Sequence, residues 1–223
     1  MSQRIAVALE TTPKRAFATA VDWPGWSRSG KSADLALEAL AAYAARYRPI
    51  AEAAGEALPT DPALEVVETA AGGSGTEFGV PSRVTDADRR PTSPDEADRL
   101  ARLVRAAWDH FDRTRSSAPA ELRKGPRGGG RDTAKMVGHV LEADHAYARE
   151  IGLRVRPPAD DEAVAALRAA VLEVLRRPSD GSPLADRRWT ARYAAQRIAW
   201  HALDHSWEIE DRSDSTIVVR DLP

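Results

Sequence analysis

The chain has 223 residues and no cysteine. That absence excludes disulfides, thiolate metal ligands and a cysteine nucleophile. Zinc ribbons, thioredoxin-like chemistry and cysteine hydrolases go with it. Long apolar runs are also missing: no stretch approaches the roughly 20 residues of a membrane span. The opening MSQRIAVALETTPKR lacks the apolar core of a signal peptide. An excess of positive charge is missing too. The net charge of −2 and a pI near 6.2 argue against a general nucleic-acid binder. A cytoplasmic protein with neither a membrane nor a nucleic-acid partner is expected. Any transition-metal site must draw on His, Asp and Glu, and there are only five histidines.

What is present is ordinary for a folded protein: 43% apolar and 30% charged residues, enough chain for one large domain or two small ones. Residues 4–9, RIAVAL, read as a strand, and RAFATAVDW (15–23) as its hairpin partner across ETTPK. DWPGW is a turn. Ser32 reads as the N-cap of a helix carrying Leu35, Leu37, Leu40, Tyr43 and Tyr47 and stopping at Pro49. ALEVVET (63–69) reads as a third strand. Residues 1–69 are therefore expected to form a small α+β module. Residues 70–92 are rich in Gly, Ser, Pro and charge and read as a linker or a long irregular crossing.

The second half changes character. Ser93-Pro94-Asp95-Glu96 is a capping box with proline at the first helical position. The helix behind it carries Leu100, Leu103, Val104, Ala107, Trp108 and Phe111. Further helices are expected over about 133–151, 160–177 and 190–211. Four amphipathic helices of this length predict an all-α four-helix bundle over 93–212. The tail, 213–223, contains STIVVR and has strand character.

The stretch AWHALDHSWE (199–208) carries the sharpest functional signal. His201 and His205 lie one turn apart on one helix face. Ala194, Ile198 and Glu208 share that face, while Trp200, Trp207, Tyr193 and Leu203 fall on another. On the 133–151 helix, His139 points with Met136, Val140, Ala143 and Tyr147, and His145 falls on the polar side, expected to be solvated. His110 has no evident place. An HxxxH pair is often polar surface. A third inward histidine on another helix changes its meaning, because buried imidazoles need partners and one divalent cation satisfies all three. It also leaves coordination positions open for water or substrate. Glu208 is a candidate general base, fourth ligand or ligand-orienting partner, or merely the partner of an arginine.

KMVGHVLEADHAYAREIG and, some fifty residues later, RIAWHALDHSWEIEDR resemble the DinB-like (YfiT-like) superfamily. Its members are four-helix bundles with one histidine from the second helix and an HxxxH pair from the last. His139, His201 and His205 occupy those positions, and the resemblance covers residues 92–212. It implies a divalent metal, zinc or nickel, activating a thiol or a water. It points to a thiol S-transferase first, a metal-dependent hydrolase second. With no cysteine in the chain, the thiol would be a low-molecular-weight cofactor. The contrasting class is a non-catalytic ligand- or protein-binding module.

ELRKGPRGGGRD (121–132) places Arg123, Lys124, Arg127 and Arg131 before the His139 helix. Helix N-termini and glycine-rich backbone attract anions. These residues are therefore candidate contacts for a small anionic substrate, or else a solvated connection. The stretch TAVDWPGWSRSGKSADLALEALAAYAARY is similar to HicB-like modules. There Trp23 and Trp26 either pack on the bundle or belong to the local core. The oligomeric expectation is a monomer or homodimer.

Overall fold

The computed structural model describes residues 4–124 and 132–213. Arg127, Arg131 and the tail strand expected near residue 215 lie outside them.

The first half is an α+β layer, as its patterning predicts. β1 (Arg4–Thr11), β2 (Ala16–Ala20), β3 (Ser27–Gly30) and, later, β4 (Ala63–Ala71) form a mixed sheet in the order β3-β2-β1-β4. β1 and β2 form the expected hairpin, with Val7 opposite Ala20 and Thr11 opposite Ala16. β4 pairs parallel to β1. Side chains alternate across the strands. Ile5, Val7, Leu9, Ala16, Ala18 and Ala20 belong to the main buried cluster, along with Leu40 and Tyr47 from the helices. β3 has the sequence SRSG and no apolar signal. It is held by main-chain pairing to β2 and by a 2.7 Å bond between the Ser27 and Thr19 hydroxyls.

Ser32 caps α1 (Ala33–Ala42) through the Leu35 amide. The expected stop at Pro49 does not occur. The chain breaks at Tyr43 instead, and α2 (Ala44–Ala53) runs through the proline. Pro49 removes one helical hydrogen bond, but Tyr47, Ile50 and Ala51 are fully buried around it, and that packing keeps the helix going.

The crossing between the halves is anchored. It contains α3 (Ser74–Phe78) and a short 3-10 turn at Ala87–Arg89. The buried Glu10 carboxylate accepts from the backbone N–H of Ser82 (3.0 Å) and Arg83 (3.1 Å), and from the Thr76 hydroxyl.

The second half is α4 (Pro94–Ser117), α5 (Thr133–Glu150), α6 (Asp161–Leu175) and α7 (Ala191–Ser213), close to the expected spans. Ser93 and Glu96 form the predicted capping box, and Asp160 caps α6. The four helices pack together, with α4 and α5 each touching both α6 and α7. None of the described helices is long and apolar enough to cross a membrane.

α7 is buried on two sides. Its Trp200 meets Phe17 of β2 (ring centroids 6.1 Å apart), and its Trp207 meets Tyr43 (5.0 Å). Between them the WPGW turn docks directly on the helix. Gln196 donates to the carbonyls of Ala20 (2.8 Å) and Val21 (2.9 Å) and accepts from the Gly25 amide (3.1 Å). Gly25 has φ +91°, and a β-carbon there would fall 2.7 Å from Leu203 Cδ1. Glycine is needed both for the left-handed backbone and for the close approach. Trp26 is local core, stacked on Tyr47 at 5.4 Å and bonded to the Leu40 carbonyl. Trp23 faces α4, with the Arg99 guanidinium 4.7 Å from its ring centroid. The aromatic face of α7 thus holds the sheet layer and leaves the histidine face to α5.

Candidate metal centre

α5 and α7 bring His139, His201 and His205 together. One nitrogen from each lies within 4.8 Å of the others, and among the described residues no other set of three or more His, Asp or Glu side chains is so grouped. His139 Nε2 and His201 Nε2 are 3.3 Å apart. The ring centroids lie 5.0 Å (139–201), 5.0 Å (139–205) and 4.6 Å (201–205) apart. Two nitrogens bound to one tetrahedral zinc at about 2.1 Å lie about 3.4 Å from each other. The first pair already has that spacing. The three histidines could therefore hold a metal, and the donor set is one that zinc, nickel and other divalent first-row ions accept.

Local sequence explains the convergence. Buried Met136 and Val140 flank His139 and seat that face of α5 inward. On α7, Ile198 and Ala202 are buried beside the pair. His201 is itself buried, and the other two are half-buried.

Glu208 takes one of its expected positions. Its Oε2 lies 3.2 Å from His205 Nδ1, and its Oε1 accepts from Arg212 at 3.1 Å. The His205 hydrogen bond, with Arg212 behind it, holds the Glu208 carboxyl below its ordinary range against the opposing effect of burial. A carboxylate can only accept, so Nδ1 is the donor and the lone pair of His205 is on Nε2. This is how a carboxylate orients a metal-binding imidazole.

The basic loop begins at the other end of this stripe. The Arg123 amide donates to the Arg212 carbonyl (3.1 Å), and its guanidinium donates to the Asp211 carbonyl. Arg123 thus covers carbonyls at the C-terminal end of α7, where a cation is favoured by the helix dipole. Lys124 is exposed.

The other two histidines are tied elsewhere. His145 is half-buried, not solvated: its Nε2 is 2.9 Å from the Val155 carbonyl and holds the segment after α5. His110 Nε2 lies 2.9 Å from Glu210 Oε1, which Arg46 also contacts at 2.6 Å through the other oxygen. Burial alone would raise the Glu210 carboxyl; His110 and Arg46 outweigh it and bring it to about 2.

Sequence reasoning missed a ring of aromatics beside the triad. Tyr147 stands edge-on to His201 (5.6 Å), Trp189 lies 5.1 Å from Tyr147, and Tyr193 lies 5.2 Å from Trp189. Tyr193 therefore joins the histidine side, contrary to its expected place with Trp200. The i, i+4 series Tyr193, Arg197, His201, His205 was the available signal. No protein-family model, curated protein or solved structure matches the chain.

Proposed function

We propose that His139, His201 and His205 form a divalent-metal centre of an enzyme that acts on a small molecule, with zinc the first candidate and nickel the second. The observation that carries this is the convergence of three imidazole nitrogens within 4.8 Å, from two helices. A bound divalent ion would supply Lewis acidity and lower the pKa of a thiol or water sharing its coordination sphere. Three protein ligands leave such a position open.

The residues around the centre then have defined parts. The three imidazoles hold the centre. Glu208 orients His205, and because both of its oxygens are engaged, it acts as a positioning residue and not as the base. Tyr147 walls one side of His201. The chain contains no cysteine, so a thiol nucleophile would be a low-molecular-weight cofactor. The resemblance of the two histidine segments to the DinB-like superfamily favours thiol S-transfer over hydrolysis. The similarity of the first half to HicB-like modules adds no chemistry to this centre.

The test is the metal content of purified protein. Wild type should hold close to one divalent ion per chain, and His201→Ala/His205→Ala none. Absence of metal from both would overturn the proposal. Turnover of electrophilic substrates that depends on an added thiol separates the transferase from the hydrolase.

A further inference from the structure

Beyond the triad, on the far side of the aromatic ring, lies an open groove of about 400 Å³. Trp189 and Tyr193 form an apolar wall, and Arg83, Arg187 and Arg188 line the same groove. Its size is that of a small-molecule site. None of these three arginines has an ion pair or a side-chain hydrogen bond among the described residues. Asp186, next in the chain to Arg187, lies beyond ion-pair distance of all three. The fourth arginine at the rim, Arg89, is committed differently: it donates to the carbonyls of Val84 and Thr85, both at 2.9 Å.

Two further features point the same way. A smaller cavity behind Tyr193 shares Arg83 and Tyr193 with the groove and is also lined by Arg197. Arg197 Nη1 is buried without a geometric hydrogen-bond partner among the described residues, although its guanidinium also interacts with the Tyr147 hydroxyl. Its guanidinium lies against the rings of Trp200 (4.8 Å) and Tyr147 (5.3 Å). Glu10 and Asp88 line that inner cavity, but Glu10 is held by the crossing and Asp88 by Thr85. The loop that presents Arg187 and Arg188 is strained. Ala185 (φ +49°) and Asp186 (φ +55°) are consecutive left-handed residues without glycine's freedom. Such strain persists where surrounding structure enforces it, often at ligand clamps. Here the loop is closed by a 2.7 Å bond from the Leu184 amide to the Trp189 carbonyl.

Arg83, Arg187 and Arg188 are exposed, and with no acidic partner among the described residues they present positive charge beside an aromatic wall to a ligand entering the groove. We infer that this groove binds the anionic part of a small organic molecule with an apolar or aromatic body and a dianionic group, either two carboxylates or one phosphoryl group. Arginine forks fit both. A chain of ring contacts, tilted between Trp189 and Tyr147 and edge-on at Tyr193–Trp189 and Tyr147–His201, links the groove wall to His201. Calling this molecule the substrate rests on the proposed metal centre; its binding does not.

The test uses metal-free protein, so that the metal contributes nothing to binding. Phenylphosphonate and phthalate are the dianionic probes, and benzamide is the neutral control. Binding is followed by calorimetry and tryptophan fluorescence. At least one dianion should bind in the sub-millimolar range and weaken with added salt; whichever binds identifies the phosphoryl or the dicarboxylate class. Benzamide should bind at least about tenfold more weakly, and Arg187→Gln/Arg188→Gln should lose about tenfold. Arg83→Gln, on a different segment, should lose a smaller factor. His201→Ala should bind the dianion as wild type does. The inference is overturned if neither dianion binds, if benzamide binds equally well, or if both arginine variants bind like wild type. Failure to retain metal with dianion binding intact would sink the metal centre alone.

Discussion

Helix α5 carries two buried polar clusters five residues apart, and they are built on opposite principles. At Asp144, donors meet acceptors. Trp108 Nε1 donates to it at 3.1 Å and Arg168 Nε at 3.2 Å, and Arg168 continues to Asp112 at 2.8 Å. The cluster ties α4, α5 and α6 together. At His139, like meets like: three imidazoles turn nitrogens toward one another. A polar cluster that serves packing pairs its own charges. Three imidazoles gathered nitrogen to nitrogen could share one cation. This contrast, more than the HxxxH spacing, is what marks the three histidines as a cluster that could hold a metal.

The comparison predicts a double dissociation. Asp144→Ala leaves Trp108 and Arg168 without their shared acceptor and should cost about 3–5 kcal/mol, read by urea unfolding, with zinc affinity of the folded fraction unchanged. His201→Ala should do the reverse. Zinc binding should disappear, while the metal-free protein loses less stability than Asp144→Ala does, because the 3.3 Å contact with His139 is lost but no buried ion pair is broken. If both variants lose stability equally and neither affects zinc, the two clusters are of one kind.

Glu208→Gln sharpens the comparison at the boundary between the two designs. It keeps the size but loses the charge that orients His205, so zinc affinity should fall by about 10–100-fold in a competition titration. An unchanged affinity would return Glu208 to a simple arginine partner.

A third buried carboxylate gives a pH test of the sheet side. Burial raises Asp88 to about 6 against the hydrogen bonds from Thr85. A carboxyl raised in the folded state stabilises fully below its unfolded pKa, near 4, and that contribution is lost as pH rises through 6. Wild type should therefore lose stability between pH 4 and 7, and Asp144, which burial also raises to about 6, adds to the same loss. Asp88→Asn should remove part of that slope, about 3 kcal/mol at most. Unfolding at a series of pH values measures it; an unchanged slope contradicts the assignment.

The smallest effect is expected at Arg123→Ala. Removing a guanidinium from the C-terminal carbonyls of α7 should cost about 0.3–1 kcal/mol in thermal unfolding.

The sequence carried the helices of the second half because their caps and apolar periods agree: Ser93, Glu96 and Asp160 all act as caps. His139, His201 and His205 were legible for the same reason, since each falls on a stripe whose phase the flanking apolar residues fix. β3 was not legible, because SRSG is an edge strand held by main-chain bonds and a serine–threonine contact. Nor was the passage of α2 through Pro49, where tertiary burial overrides a local rule. The glycine loop, with Arg123, Lys124, Arg127 and Arg131, is where the sequence pattern points for anion contacts. Arg83, Arg187 and Arg188, which line one groove without acidic partners among the described residues, come from segments about a hundred residues apart that no local pattern links.

The most direct test of the shared-cation account is a titration of metal-free protein with cobalt(II), followed by its visible absorption. The account predicts bands of a low-coordinate, nitrogen-ligated site that saturate at one equivalent and are absent from the His139→Ala/His201→Ala/His205→Ala variant. A spectrum no different from free aqueous cobalt, or one that the triple variant reproduces, would contradict it.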